Sequence, residues 1–69
     1  MRTLAVGQYV ELYPTIPSSF GGSIVSGTRA IVVAVEPERG DARYLVAFLA
    51  GEARTGEQAW LAATDLFPA

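Results

Sequence analysis

The strongest local signal in the chain is a pair of apolar segments separated by a short polar turn. Residues 29–36 are apolar almost throughout, and within residues 42–49 an aromatic or β-branched side chain stands at every second position from 44 to 48. Side chains at period two share one face of a strand, so both segments predict β-strands. Pro37 fixes one φ angle in the turn and Gly40 accepts a positive φ. The pattern therefore predicts an antiparallel hairpin. The alternating side chains of its second strand are Tyr44, Val46 and Phe48.

Shorter segments extend this β pattern on both sides of the hairpin. Residues 8–13 alternate and are rich in aromatic and β-branched residues, which predicts a first strand. Residues 57–61 predict a further strand, and residues 62–66 predict a single helical or 3-10 turn. Phe67 then begins a short last strand that Pro68 ends.

Two loops separate these strands. Residues 14–27 form a long loop rich in Pro, Ser and Gly, and residues 50–56 form a second loop between two glycines. A helix over residues 53–66 is the alternative, because Ala, Glu and Gln favour helix, but Gly56 within it argues for the strand.

The length of the chain limits how these strands can be arranged. The 69 residues predict a single domain over 1–69, without cysteine to add a disulfide. A flat open sheet of four or five short strands would expose its edges. We therefore predict an all-β fold in which four to five antiparallel strands close into a small barrel. The segment 31–35 is apolar on both faces. Either one bent strand serves both halves of the barrel, or one face meets a second copy.

Composition excludes several classes of chemistry. The chain has no cysteine, histidine or lysine, and five arginines against seven carboxylates give a net charge of −2. Zinc sites of Cys and His, a cysteine nucleophile and a Ser-His-Asp triad are excluded. We predict a non-enzymatic protein with no catalytic, cofactor-binding or metal-binding residues and no evident small-molecule substrate. Scattered arginines on an acidic chain do not supply the positive field that nucleic-acid binding needs.

The sequence carries no targeting signal that we recognise. No run approaches the roughly 18 apolar residues of a membrane span. Arg2 is not followed by the long apolar segment of a signal peptide. We expect a cytoplasmic protein.

An uncharged segment over residues 12–28 is the most unusual feature of the chain. Solvated loops usually carry charge, so this composition predicts a loop that docks on a partner, with Tyr13 and Phe20 as aromatic anchors. The alternative is that the loop covers the core of its own barrel. Some side chains can point inward while others point outward.

A second candidate surface is aromatic. Trp60 with Tyr9, Tyr13 and Phe67 would form a groove, and the alternative places Trp60 in the core. Taken together, the two surfaces give five candidate partner-binding residues. These are Tyr13, Ile16, Phe20, Ile24 and Trp60.

Charged residues cluster in the two shorter loops. Glu36, Glu38 and Asp41 surround the hairpin turn with two arginines, and the second loop has a similar mixture. A flexible turn rarely preorganises carboxylates, so we predict solvated, screened charges in both places. The charged residues of the second loop are Glu52, Arg54 and Glu57.

Several of these segments together resemble SH3-like small β-barrels, in particular small bacterial proteins of that type. The resemblance runs from about residue 6 to residue 67. It is carried by Val10-Glu11-Leu12, a loop with Pro17, a Gly before the valine-rich strand, a Tyr-x-Val-x-Phe strand and a closing Asp65-Leu66. It implies a small barrel of four to five antiparallel strands with a long first loop and a short 3-10 turn near the C-terminus. Such barrels mostly bind proteins or nucleic acid. KOW-type modules and small accessory subunits share the pattern, although Ala30 stands where KOW modules usually have Gly.

We therefore expect a protein-protein interaction module, or a small accessory or assembly subunit, that docks through the uncharged loop and aromatic residues. Its partner would be another protein or a second copy of the chain. A KOW-like module associated with nucleic acid or ribonucleoprotein is one alternative, and a structural component of a virion or complex is another.

Overall fold

The computed structural model describes residues 3–49 and 56–69, and every regular element in these ranges is a β-strand or a 3-10 turn. The expectation of an all-β chain is confirmed, and residues 58–61 are strand rather than helix. The second loop and its residues Glu52 and Arg54 lie outside the described residues, apart from Gly56. The strands are β1 (Tyr9–Leu12), β2 (Ile16–Pro17), β3 (Ser23–Ile24), β4 (Arg29–Val35), β5 (Tyr44–Phe48), β6 (Gln58–Leu61) and β7 (Leu66–Pro68), and the 3-10 turns are Pro37–Arg39 and Ala63–Asp65.

Five strands form one antiparallel sheet in the order β6-β5-β4-β1-β7. The predicted hairpin is its centre, since β4 pairs with β5 from Ala30 opposite Phe48 to Val35 opposite Tyr44. Gly40 has a φ of +81°, the left-handed conformation that the turn prediction required.

A β-bulge interrupts the pairing of β4 with β5 between Val32 and Ala34. Ala30 and Val32 point inward and are fully buried before it, whereas Val35 is the residue that packs against the core after it. Val33 is the extra residue, and it is exposed on the outer face. The bulge thus explains why this strand is apolar at consecutive positions, because it changes which residues face inward.

The hydrophobic core fills the inner side of the sheet and is mainly aliphatic. Its buried members come from the N-terminal segment, from the loop after β1 and from five strands. They are Leu4, Val10, Leu12, Ile24, Ala30, Val32, Tyr44, Val46, Phe48, Leu61 and Leu66. Burial of one such Leu, Ile or Val side chain contributes about 1.5–3 kcal/mol. The core therefore holds the long loop as well as the sheet.

The long loop after β1 is itself a small hairpin. Strands β2 and β3 pair Ile16 with Ile24 and Pro17 with Ser23. Two consecutive glycines make the turn, Gly21 with a φ of +100° and Gly22 with a φ of +74°. The sequence predicted an irregular loop here, because strands of two residues are too short to show a period.

The prediction of a closed barrel is wrong, because the two edge strands β6 and β7 do not pair with each other. The reason lies in the hydrogen bonds of β7. The Leu66 N–H donates to the Ala63 carbonyl within the 3-10 turn, and Pro68 has no N–H. The outer edge of β7 therefore has no backbone donor to offer a neighbouring strand, and the sheet stays open.

Candidate docking surface

The aromatic residues divide between the core and the surface. Of the seven in the chain, Tyr44 and Phe48 are buried and Trp60 is half-buried. The other four expose about half of their surface or more: Tyr9 56%, Tyr13 60%, Phe20 74% and Phe67 45%. Because single exposed apolar residues are ordinary, the question is which of them lie side by side.

Three of the four exposed aromatics share the outer face of the β1–β7 ladder, and we call them the aromatic face. Phe67 lies opposite Glu11, so Tyr9 and Tyr13 are its two diagonal neighbours on β1 and its extension. The rings of Tyr13 and Phe67 meet edge to face, with centroids 5.0 Å apart and planes at 87°. This contact fixes two exposed rings relative to each other.

Main-chain hydrogen bonds hold the aromatic face in place. The Tyr13 N–H donates to the Asp65 carbonyl at 2.8 Å, and the Ala69 N–H donates to the Tyr9 carbonyl at 3.0 Å. The Asp65 carboxylate accepts the Ala62 N–H at 3.1 Å, which holds the 3-10 turn that leads into β7. The rings thus project from paired strands, so the entropy cost of ordering their backbone on binding is small.

An ion pair also lies on this face. Glu11 lies opposite Arg29 on β4, and their side chains approach to 3.9 Å. Both side chains are well exposed, so the pair contributes little to stability. The pair lies next to the aromatic face, because Glu11 is opposite Phe67 across the β1–β7 ladder.

The uncharged loop points side chains both inward and outward. Ile24 is 1% exposed and belongs to the core, and Ile16 packs against that core from β2. Phe20 lies at the tip of the hairpin, and its side chain is the most exposed large hydrophobic one among residues 3–49 and 56–69. The alternative in which the loop covers its own core therefore applies to Ile16 and Ile24. Phe20 points outward and stays a candidate for docking.

Glu57 connects this loop to the sheet, and sequence reasoning missed it. The Ser18 hydroxyl donates to its Oε1 at 2.8 Å, and the Ser19 N–H donates to its Oε2 at 2.7 Å. Glu57 is only 7% exposed, so the prediction of a solvated charge is wrong for this residue. Its partners lie almost forty residues earlier, and no local pattern indicated the contact.

Trp60 lies on β6, which is separated from β1 and β7 of the aromatic face by the two central strands β5 and β4. It lies on the outer face of β6, opposite Leu45 of β5, and β6 and β7 are the two ends of the sheet. The Arg39 guanidinium lies 3.9 Å from the centroid of the Trp60 ring, a cation–π contact. The structure thus brings together Tyr9, Tyr13 and Phe67 of the proposed groove, and places Trp60 elsewhere.

An open cleft of about 440 Å³ lies between the hairpin turn and the second 3-10 turn. Val35, Tyr44 and Thr64 line it together with one carboxylate, Asp41, and one guanidinium, Arg43. The Tyr44 hydroxyl accepts the Leu4 N–H at 3.4 Å. Among these described lining residues the structure shows no hydrogen-bonded nucleophile–base pair.

Residues 3–49 and 56–69 contain no group of three or more acidic, His or Cys side chains that could hold a metal ion. Within the same ranges no helix is long and apolar enough to cross a membrane. No protein-family model, curated protein or solved structure matches the chain.

Proposed function

We propose that this chain is a non-enzymatic protein-interaction domain of the SH3-like type, which docks on another protein through the aromatic face and the tip of the uncharged loop. The observation that carries the proposal is the exposed edge-to-face contact of Tyr13 with Phe67, with Tyr9 beside it. A pair of rings packed together at the surface presents a rigid apolar site, which is typical of the centre of a protein interface.

The architecture supports the SH3-like assignment in two respects. The long first loop follows β1, and a 3-10 turn leads into the last strand. These are features that the sequence resemblance implied. The open sheet departs from the closed barrel of that resemblance, and β7 is therefore an edge strand.

The size of the aromatic face is suited to the centre of an interface. At roughly 200 Å² for a whole aromatic side chain, the three exposed fractions sum to about 300 Å². A stable interface covers about 800 Å² on each partner. The remainder would come from the Glu11–Arg29 pair and from the other residues that surround the aromatic face.

The nucleic-acid alternative has weaker support. Arg29 pairs with Glu11, Arg39 covers Trp60, and the Arg43 Nε donates to the Gly40 carbonyl at 2.9 Å. These guanidinium groups are engaged separately and do not form one basic surface. A component of a larger assembly would use the same aromatic face, so one experiment addresses that alternative too.

Affinity capture with the wild-type chain and with Tyr13→Ser and Phe67→Ser tests the proposal. Partners retained by the wild type are identified, purified and titrated against each variant. Since loss of a central aromatic anchor costs about 2 kcal/mol or more, we expect binding at least roughly thirtyfold weaker. Val6→Ser is the matched control, because Val6 is 63% exposed in the turn before β1.

The proposal is refuted if both variants keep their fold, by circular dichroism and thermal unfolding, and still bind the partner as tightly as the wild type. A labelled oligonucleotide supplies the second arm. Retention of the oligonucleotide by the wild type at low salt, with loss as salt rises, would instead favour the nucleic-acid module.

A further inference from the structure

The two edges of the five-stranded sheet differ in the backbone groups that they present. At β7 the outward donors are absent, because the Leu66 N–H is used in the 3-10 turn and Pro68 has no N–H. Such an edge cannot extend the ladder. The other edge, β6, has four uncharged residues and no proline, so two of the devices that usually prevent strand addition, a charged side chain and a proline within the strand, are absent from it.

The pairing of β6 with β5 shows which backbone groups point outward. The Phe48 N–H donates to the Glu57 carbonyl, and the Phe48 carbonyl accepts the Gly56 N–H, both at 3.0 Å. Hydrogen-bonded positions alternate along an antiparallel pair, so Ala59, opposite Val46, bonds inward to β5. The N–H and C=O groups of Gln58 and Trp60 therefore point away from the sheet. No residue described by the structure forms a backbone hydrogen bond with them.

We propose that the β6 edges of two copies of this chain pair antiparallel about a two-fold axis at Ala59. In this register Gln58 lies opposite Trp60 of the second copy, and each pair exchanges two N–H···O=C bonds. The two-fold axis generates the same pair again, so four hydrogen bonds form and all eight outward groups are satisfied. The result is a continuous ten-stranded sheet.

The side chains of β6 suit a second copy as the occupant of this edge. On the inner face the axis brings together two Ala59 side chains, which are small enough to meet without displacement. On the outer face the two Trp60 rings become diagonal neighbours across the new ladder, a separation that aromatic side chains bridge. The four residues of β6 carry no charge, so the paired strands themselves place no like charges opposite each other, although the Arg39 guanidinium lies over each Trp60 ring.

The short length of β6 sets the strength of this contact. Four residues at about 3.4 Å each give an edge of about 14 Å, and such an edge covers less than the roughly 800 Å² per partner of a stable interface. The dimer is therefore weak and forms only at high concentration. This surface is distinct from the aromatic face on β1 and β7, so the two can be tested separately.

Sedimentation equilibrium across the micromolar to millimolar range, with the wild type and Gln58→Pro, tests the proposal. Proline at this position removes one outward donor from each copy and no hydrogen bond to β5. We expect a reversible monomer–dimer equilibrium for the wild type, weakened roughly tenfold or more in the variant. Gln58→Thr keeps the outward N–H and is the matched control, so it should dimerise like the wild type.

Amide hydrogen exchange of the wild type gives a second readout that needs no variant. The Gln58 and Trp60 amides should exchange more slowly as concentration rises, while the Ala59 amide stays protected throughout. A monomer at every concentration, or a dimer that persists in a folded Gln58→Pro, would overturn the proposal. It is likewise overturned if Tyr13→Ser and Phe67→Ser abolish the dimer while Gln58→Pro leaves it intact, since the aromatic face would then be the contact.

Discussion

Replacing Glu57 by glutamine removes the negative charge that holds the loop hairpin against the sheet, while it keeps the size of the side chain. In the wild type one carboxylate oxygen accepts a hydrogen bond from the Ser18 hydroxyl, and the other accepts one from the Ser19 N–H. The glutamine oxygen can accept only one of these, and its NH₂ group then faces the other donor. Because Glu57 is almost fully buried, water compensates little for the loss.

The expected size of this effect follows from the two hydrogen bonds. A hydrogen bond to a charged group contributes about 1.5–3 kcal/mol, so Glu57→Gln should lower the free energy of unfolding by about 2 kcal/mol. For a domain of this length each kcal/mol moves the midpoint by about 4–8 °C, which predicts a Tm about 8–16 °C lower. Urea unfolding followed by circular dichroism measures the free energy directly.

A double-mutant cycle isolates the contact from other effects of the substitution. Ser18→Ala removes the hydroxyl donor, and its coupling to Glu57→Gln should be about 1–2 kcal/mol. Ser19→Ala is the matched control, because Ser19 contacts Glu57 through its backbone N–H and should change stability by less than about 0.5 kcal/mol. Equal stability of Glu57→Gln and wild type, or a coupling near zero, would refute the role of Glu57 as the anchor of the loop.

Three further measurements test other parts of the structure. Ile24→Ala should lower the free energy of unfolding, measured in urea, by about 2–5 kcal/mol because Ile24 is a core residue. Phe20→Ala should change the same free energy by less than about 0.5 kcal/mol, because Phe20 is exposed. Similar costs for the two variants would contradict the placement of the loop. Arg39→Ala should increase iodide quenching of Trp60 fluorescence by uncovering the ring, and unchanged quenching would contradict the stacked geometry. Gly27→Ala should cost about 1 kcal/mol or more through its φ of +90° alone, since a Cβ there meets no atom within 4 Å; thermal unfolding checks this against wild type.

The strands of the sheet could be predicted because their signals are local. Alternation over residues 42–49 and the Pro37–Gly40 turn depend only on neighbours in sequence, and β4, β5 and the turn occur as expected. The β2–β3 hairpin escaped prediction because two residues give no periodicity.

Properties that depend on distant partners were the ones that sequence reasoning missed. Barrel closure was expected because a flat sheet of short strands would expose its edges, yet the outer edge of β7 lacks backbone donors, since the Leu66 N–H is used in the 3-10 turn and Pro68 has none. Glu57 resembled any loop carboxylate until folding brought two serines to it. The docking candidates separated in the same way, since Ile24 is in the core while Tyr13 meets Phe67, 54 positions later in the chain.

The bulge at Val33 has a consequence for how the chain selects one alignment of its strands. A uniform ladder of valines and alanines could slide by two residues and still direct similar side chains inward. With the bulge in place, such a slip would have to move the extra residue along β4 as well, past the fully buried Val32 or the half-buried Val35. The extra residue therefore fixes the register of β4 against β5. It allows a strand made mainly of valine and alanine to pair in a single way.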